Sequence, residues 1–251
     1  YENFLLGRAD SLLQDPLSQL VRSGQLPLPG ARAELQAIEN IWPTTSYYDT
    51  SATERQIKQS APEIQILHLS MHSLANTYNP LYSSLLFNRT ADSIEDGRLY
   101  TTEIYNMRLS ADLAVLSACN TGFGQLQAGE GVRSISRAFF NAGIASTVTS
   151  LWNVPDESTR QIMVRFYQKL REGLSKDEAL RQSKLEYLQN IKAPQQAHPF
   201  YWAGFVCNGD VSPLATNQRA TSWLYSLLAI FGVLLLVSLF SKIFQKKSNT
   251  R

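Results

Sequence analysis

Apolar residues in the middle of the chain fall into short runs separated by amphipathic stretches. The clearest runs lie at residues 64–70, 113–118 and 145–152, and their length is typical of buried strands. Beyond the third run, apolar residues recur at helical spacing, at Met163, Phe166, Tyr167 and Leu170. Strands that alternate with helices predict an α/β fold with a mostly parallel sheet, in which ligands bind at the carboxyl ends of the strands.

Shorter patterns predict the remaining elements of this domain. Helices are expected at 31–42, 52–60, 132–141 and 180–191, with Pro43 ending the first and Gly143 ending the third. Short strands are expected at 46–48 and 203–206. Residues 84–87 and 98–100 are expected to pair as a hairpin around Asp96-Gly97, followed by a turn that begins at Thr102.

The pattern changes near the C-terminus, where residues 223–241 form an uncharged apolar run of about the length that spans a bilayer. Trp223 and Tyr225 open this run at the depth where interfacial aromatic residues are common. The predicted organisation is the end of an N-terminal helical, repeat-like region (1–25), an α/β domain (26–210), a linker (211–222), a transmembrane helix (223–241) and a basic tail (242–251).

Composition narrows the class of partners and the compartment. The chain has 251 residues with a net charge of +2, which is too small for a nucleic-acid surface, so no nucleic-acid partner is expected. Its two cysteines, Cys119 and Cys207, form no disulfide framework and favour a reducing compartment. The positive-inside rule would place the basic tail in the cytoplasm and the domain outside, whereas the thiols favour a cytoplasmic domain. We expect a single-pass membrane protein with the domain in the cytoplasm.

The candidate chemistry lies just after two of the predicted strands. Cys119 follows the run 113–118 and precedes a glycine-rich stretch, and His72 follows the run 64–70, 47 positions before Cys119. This order and spacing fit a Cys-His nucleophilic dyad, in which His72 acts as base and Cys119 as nucleophile. The backbone N–H groups of Cys119 and Ser73 are the expected oxyanion donors. A buried, unreactive thiol is the alternative interpretation of Cys119.

Other chemistries need residues that are missing. No Gly-Lys-Ser/Thr follows Gly124, as a phosphate-binding loop requires, and Gln127 stands where a dinucleotide fingerprint needs its third glycine. Gln125 occupies the position at which a cysteine phosphatase needs arginine. The cysteines and histidines show none of the paired spacings of a zinc site, so neither a metal nor a cofactor is expected.

Three acids are candidates for substrate binding: Asp112, Glu130 and Asp156. Each also has a structural interpretation, since Asp156 can cap a helix after Pro155 and Glu130 can be an ordinary first-turn acid. His68 lies inside a predicted strand and is expected to be a packed structural residue, and His198 is expected to order a loop. Residue types alone do not choose between the three acids.

The motifs together resemble the CHAT family, which comprises caspase-like peptidase domains of clan CD related to separases and caspases. The matching stretches are Leu67-His68-Leu69-Ser70-Met71-His72, residues 111–122, Gly129-Glu130-Gly131-Val132, Ser150-Leu151-Trp152, and His198-Pro199 with Tyr201-Trp202. The resemblance implies a caspase-type α/β fold with His72 as base and Cys119 as nucleophile. The family usually has glycine after the catalytic histidine, and this chain has Ser73, whose side chain narrows the oxyanion site or strains the backbone.

The leading expectation is a membrane-tethered bacterial cysteine endopeptidase that cleaves a protein or peptide substrate, regulated by an N-terminal repeat region. The alternative is a catalytically weak or inactive scaffold or signalling module whose caspase-like pocket binds peptide without cutting it. Ser73 motivates the alternative, and the dyad of His72 and Cys119 motivates the enzyme.

Overall fold

The computed structural model describes residues 29–60, 64–76, 78–89, 95–117, 125–127, 131–133 and 135–215. The chain divides into two compact units, Tyr1–Leu214 and Ala215–Arg251, and the elements described belong to the first. The predicted membrane segment 223–241 lies outside the described residues. Within those residues, no helix is both long enough and apolar enough to cross a membrane.

Helices and strands alternate along the first unit. The described helices are α1 (Pro29–Glu39), α2 (Glu54–Ser60), α3 (Thr101–Asn106), α4 (Ile135–Asn141), α5 (Asp156–Arg171) and α6 (Lys176–Gln189). The described strands are β1 (Ile66–Leu69), β2 (Ser73–Leu74), β3 (Ser84–Leu86), β4 (Arg98–Tyr100), β5 (Leu113–Leu116), β6 (Gln125–Gln127), β7 (Gly131–Arg133), β8 (Ser146–Ser150) and β9 (Phe205–Gly209).

The central sheet has the strand order β1-β5-β8-β9. Strands β1, β5 and β8 run parallel, and β9 pairs antiparallel with β8. Every residue of β5 and β8 is buried, as expected for strands that are covered on both faces. The predicted α/β fold with a mostly parallel sheet is therefore confirmed, and the strand expected at 203–206 appears as β9.

Alternate residues of the central strands pack into two separate cores. Leu113 and Val115 of β5 face a layer built by α1, α5 and α6. Ala114 and Leu116 face the opposite layer, to which α2, α3 and α4 contribute. This division follows from the two-residue period of a strand, which sends successive side chains to opposite faces of the sheet.

Helix α5 carries the most complete apolar stripe. The four residues that predict it, Met163, Phe166, Tyr167 and Leu170, are all 0–2% exposed. Each fully buried side chain of this size stabilises the fold by roughly 1.5–3 kcal/mol relative to an exposed one. The stripe therefore fixes α5 against the sheet, directly behind the carboxyl ends of β1 and β5.

A second, smaller sheet has the order β2-β3-β4. Strands β3 and β4 form the predicted hairpin, with Ser84 opposite Tyr100 and with Gly97 in the left-handed region at a φ of 79°. The turn expected at Thr102 is a short helix, α3, which begins one residue earlier. The 2-residue strand β2 lies at the edge of this sheet.

Two short predicted elements differ in the structure. Residues 46–48 do not form a strand, because Tyr48 instead donates its hydroxyl to Glu39 at 2.7 Å and its N–H to Ser51 Oγ at 2.9 Å. Val132 lies in β7, opposite Leu126 of β6, and helix α4 begins only at Ile135. The end of α4 follows the prediction, since Gly143 adopts a φ of 110° there.

Lys58 joins helix α2 to the β3–β4 hairpin and to α3. Its Nζ lies 2.6 Å from Glu54 Oε1, 2.9 Å from Glu95 Oε2 and 2.9 Å from Glu103 Oε1. Glu54 is 2% exposed, and its second oxygen accepts a hydrogen bond from Gly97 N–H at 3.2 Å. Burial, only partly offset by Lys58, raises the pKa of Glu54 to about 7.

Replacing Glu54 with Gln should remove a pH-dependent component of stability. A carboxyl group whose pKa is raised by folding binds more protons in the folded state, so stability falls as the pH rises from 4.5 to about 7. The free energy of unfolding of the wild type should decline in this window relative to Glu54→Gln, by at most about 1.4 kcal/mol per pH unit. Urea denaturation of both proteins between about pH 5 and pH 8 measures the difference.

Glu157→Gln provides the matched control, because hydrogen bonds from Arg160 lower the pKa of the Glu157 carboxyl. The stability difference between the wild type and this control should stay constant over the same pH range. An equally flat difference between the wild type and Glu54→Gln would contradict the raised pKa of Glu54.

Candidate active site

The parallel pairing of β1 with β5 brings their carboxyl ends together. Leu69 is the register partner of Leu116, and Ser117 N–H donates to the Leu69 carbonyl at 3.1 Å. His72 follows Leu69 by three positions, and in the sequence Cys119 follows Leu116 by the same number. Cys119 itself lies outside the described residues.

His72 and Ser73 occupy the step from the central sheet to the small sheet. His72 is half-buried, and its carbonyl accepts a hydrogen bond from Leu86 N–H at 3.0 Å. Ser73 is the next residue along and lies opposite Leu85. Hydrogen-bonded and non-hydrogen-bonded pairs alternate in an antiparallel ladder, so the N–H of Ser73 points away from β3. The predicted oxyanion donor is thus on the outer edge of β2.

The three candidate acids fall at different places. Asp112 immediately precedes β5 and accepts a hydrogen bond from Gln65 Nε2 at 3.1 Å. The five steps from Asp112 to Ser117 span about 16 Å, so these two residues lie at opposite ends of β5. Substrate binding by Asp112 stays a prediction. Glu130 lies outside the described residues.

Asp156 is the candidate acid that lies at the same edge as His72. It is the first residue of α5, which follows the carboxyl end of β8. Pro155 occupies the cap position, so Asp156 is an exposed first-turn acid rather than the capping residue. Its carboxyl group packs against Gly30 of α1, where a larger residue would clash with it.

Five polar side chains gather beneath the ends of β1 and β5, on the face covered by α1 and α5. We call them the Glu34 cluster: Glu34, His68, Ser70, Ser117 and Tyr167. Ser70 Oγ donates to Glu34 Oε2 at 3.0 Å, and Glu34 Oε1 lies 3.1 Å from His68 Nε2. On the other side of the ring, His68 Nδ1 is 2.9 Å from the Tyr167 hydroxyl. His68 is therefore a packed residue, as expected.

Apolar side chains border the same edge after β8. Leu151 and Phe200 are 40% and 46% exposed. Trp152 Nε1 donates to the Phe200 carbonyl at 2.9 Å, which joins the segment after β8 to the segment before β9. His198 Nδ1 accepts a hydrogen bond from Phe200 N–H at 3.2 Å, so His198 orders this loop.

The sequence matches the CHAT domain family over residues 4–210. This chain belongs to the CHAT domain family. The match begins before the expected domain start at residue 26 and ends at the expected residue 210. The family resemblance inferred from the motifs is thereby confirmed.

Relatives place this CHAT domain in a broader context. Human tetratricopeptide repeat protein 28 is 25% identical over 214 residues, which cover 73% of this chain and 8% of that protein. The chain thus spans less than a tenth of the length of this curated relative. A bacterial source stays a prediction.

Solved structures show the fold of the CHAT domain. The complex of the pro- and mature domains of Porphyromonas gingivalis RgpB aligns with a TM-score of 0.50 and 14% identity, covering 73% of this chain and 42% of that chain. The Arg-specific cysteine proteinase gingipain R (RgpB) aligns with a TM-score of 0.48 and 12% identity, covering 73% and 41%. The likeness to the RgpB complex shows that the two chains share an α/β fold.

The second thiol of the CHAT domain, Cys207, lies in the central sheet. Cys207 lies in β9 opposite Val148 and is half-buried. Burial raises the pKa of the Cys207 thiol, and the negative charge of Asp177 adds to the effect. Within the described parts of the chain, no group of His, Cys, Asp or Glu side chains is arranged to hold a metal ion.

Cys207 should react slowly with alkylating reagents at neutral pH. A raised pKa reduces the thiolate fraction, and partial burial limits access, so we expect alkylation at least about tenfold slower than that of free cysteine. Mass spectrometry of a Cys119→Ala variant treated with iodoacetamide measures the rate at Cys207 alone. Rapid labelling of Cys207 would show that its environment does not suppress the thiolate.

Proposed function

We propose that this CHAT domain is a cysteine endopeptidase that cleaves a protein or peptide substrate, with Cys119 as nucleophile and His72 as general base. The pairing of Leu69 with Leu116 carries the proposal. Both residues of the dyad stand three positions beyond these paired strand ends. Neighbouring strands are about 4.8 Å apart, so the segments that lead to His72 and Cys119 leave the sheet at adjacent points. Each segment is three residues long and spans at most about 10 Å.

The proposed reaction needs no group beyond the dyad, the oxyanion donors and water. His72 accepts the proton of Cys119, and the sulfur attacks the carbonyl carbon of the scissile peptide bond. The imidazolium of His72 then gives its proton to the leaving amine as the C–N bond breaks, which leaves a thioester. Water, deprotonated by His72, hydrolyses the thioester, releasing the new carboxyl terminus and restoring the thiol.

The edge position of Ser73 supports its proposed role as an oxyanion donor. Its N–H points away from β3, on the outer side of β2. Among the described residues, Asp49 is the non-glycine residue with a positive φ. The family usually has glycine at the position of Ser73. Ser73 itself does not adopt the positive φ that favours glycine.

Exposed aromatic and aliphatic residues in the segments that follow β2 and β8 and precede β9 suit a peptide substrate. Tyr78 and Tyr82, in the segment between β2 and β3, are 72% and 60% exposed, and Leu151 and Phe200 border the edge after β8. Such side chains contribute apolar contact area to peptide recognition. RgpB, whose fold is similar, is itself a cysteine proteinase.

Cys119→Ala should abolish proteolysis, because no other group supplies the thiolate. We expect a loss of at least about 10³-fold in kcat/KM, and of about 10²–10⁴-fold for His72→Ala, which keeps the thiol but removes its base. A proteome-wide comparison of newly formed protein termini, with wild type against Cys119→Ala, identifies the cleaved bonds. Peptides built from those bonds then give the kinetic constants.

Cys207→Ala is the matched control, since it removes the half-buried thiol of β9 and leaves the proposed dyad in place. Its kcat/KM should equal that of the wild type within about twofold. Termini that persist in Cys119→Ala would rule out Cys119 as the nucleophile.

A second candidate function is a catalytically weak or inactive scaffold that binds peptide. The observation that favours it is the side chain of Ser73 at a position where the family usually has none. Peptides that bind the wild type and Cys119→Ala with equal affinity and are cut by neither would support this function. A Ser73→Gly variant that gains at least about tenfold in kcat would identify Ser73 as the cause of weak activity.

We also propose that residues 223–241 anchor the domain to a membrane, with the domain on the cytoplasmic side. The uncharged apolar run supports the anchor. The two thiols without a disulfide framework support the cytoplasmic side, against the orientation that the basic tail favours by the positive-inside rule. The full chain should stay in the membrane fraction after alkaline carbonate extraction, whereas a chain that ends at Ala215 should be released. Protease access in intact cells reports the side of the membrane, and extraction of the full chain by carbonate would contradict the anchor.

Regulation by an N-terminal repeat region is a further part of this proposal. The similarity to a tetratricopeptide repeat protein supports it, because the human relative extends far beyond the part that this chain matches.

A further inference from the structure

The Glu34 cluster contains a charged group in a position that ordinarily holds an apolar residue. Glu34 and Ile38 lie one helical turn apart on α1, and both are 2% exposed. A buried carboxylate is costly unless it is paired and hydrogen-bonded. The partners of Glu34 in the cluster, Ser70 and His68, both belong to the β1 segment. Glu34 therefore adds polar contacts between α1 and the end of β1 to the apolar packing of Ile38.

The same face of the sheet carries every strand residue of the cluster. Ile66 and His68 alternate towards α1 and α5, and Ser70 follows at the next position of the same period. Ser117 follows Val115 in the same way and lies 3.4 Å from His68 Nε2 through its Oγ. The cluster thus links the ends of both strands through one imidazole ring.

The two serines of the cluster hold equivalent places relative to the proposed dyad. Ser70 precedes His72 by two positions, and Ser117 precedes Cys119 by two. Ser117 is held by its own N–H and Oγ, which lie 3.1 and 3.4 Å from the Leu69 carbonyl. Ser70 is held by Glu34. Any shift of the carboxylate therefore acts on the segment that leads directly into His72.

Tyr167 closes the cluster on the side of α5. Its ring packs against His68 with the centroids 5.6 Å apart, and its hydroxyl lies 2.9 Å from Nδ1. Burial and the nearby Glu34 charge raise the pKa of the Tyr167 hydroxyl, so the phenol stays neutral. Tyr167 therefore holds one side of the His68 ring by stacking and by its hydroxyl. On the other side Glu34 Oε1 lies 3.1 Å from Nε2 but has no hydrogen-bond partner among the described residues.

We infer that Glu34 is a positioning residue for the proposed dyad, which it serves by fixing Ser70 and His68 and through them the segments that lead into His72 and Cys119. This inference rests on the proposed function. Replacing a buried polar network with apolar residues of similar volume often leaves stability unchanged or improves it. A change in catalysis can therefore be separated from a change in folding at this residue.

Glu34→Leu removes both acceptor oxygens and keeps the volume of the side chain. With a peptide substrate, we expect kcat to fall about 10- to 100-fold while KM stays within about twofold, because the displaced dyad still binds substrate. Glu34→Gln keeps an oxygen that accepts from Ser70 and should retain kcat within about threefold. Glu39→Leu is the matched control, since it makes the same substitution at an exposed position of α1. It removes the hydrogen bond from Tyr48 but no contact of the Glu34 cluster, so kcat should stay within about twofold of the wild type.

Ser70→Ala tests the route from Glu34 to His72. It removes the hydroxyl that donates to Glu34 Oε2, so the double variant with Glu34→Leu should lose little more kcat than Glu34→Leu alone. Multiplicative losses would mean that the two residues act independently and would overturn this route. All rates are measured well below the melting temperature of every variant, so that unfolding does not contribute.

Alkylation of Cys119 by iodoacetamide in a Cys207→Ala background provides a readout that needs no turnover. Glu34→Leu should slow it at least about fivefold relative to Glu39→Leu, because the thiolate depends on the nearby His72. Absence of turnover in the wild type would overturn the proposed function, and the alkylation rates would still decide the role of Glu34. Equal alkylation rates and equal kcat in Glu34→Leu and Glu39→Leu, with a changed melting temperature alone, would show a purely structural role.

Discussion

The parallel pairing of β1 with β5 is the constraint on which the rest of the structure depends. It makes β5 a central strand, so both of its faces must be covered, and the two helical layers follow from that requirement. Because of this pairing, both strands also end at the same edge of the sheet, at Leu69 and Leu116. Loops at that edge converge because the strands beneath them share a direction, which is why ligand sites of parallel sheets form there.

Long patterns were predictable from the sequence, whereas two of the short predicted elements were wrong. The α5 stripe and the strands β5 and β8 are recognisable because many residues repeat one period, so burial against any partner gives the same element. Val132 does not belong to a pattern of this length. Its apolar side chain fits the stripe of α4, yet it lies in a 3-residue strand that exists only through pairing with β6. Residues 46–48 were expected to form a strand and do not, since Tyr48 makes hydrogen bonds to side chains instead of pairing with another strand.

The residues of the candidate site also differ in how far the sequence predicts their positions. His72 and Ser73 lie at the edge expected from their place after an apolar run, whereas Asp112 is near the cysteine in sequence and lies a whole strand away from that edge. The sequence does not predict the burial of Glu34, because an acid on a helix is normally exposed. Glu34 lies four positions before Ile38, and this spacing could have indicated that the two side chains share the buried face of α1. The polar neighbours of Glu34, Ser70 and His68, are known only from the structure.

Placing a carboxylate rather than a leucine at Glu34 changes how α1 is held. Apolar packing is non-directional and tolerates small displacements, whereas the hydrogen bond from Ser70 to Glu34 depends on distance and angle. Helix α1 is also the first described element of the chain, so it directly follows the N-terminal residues. A displacement of α1 would break a directional contact two residues from His72 before it disturbed the apolar core. Helix α1 is thus linked to the chain two positions before His72 by the hydrogen bond from Ser70 to Glu34.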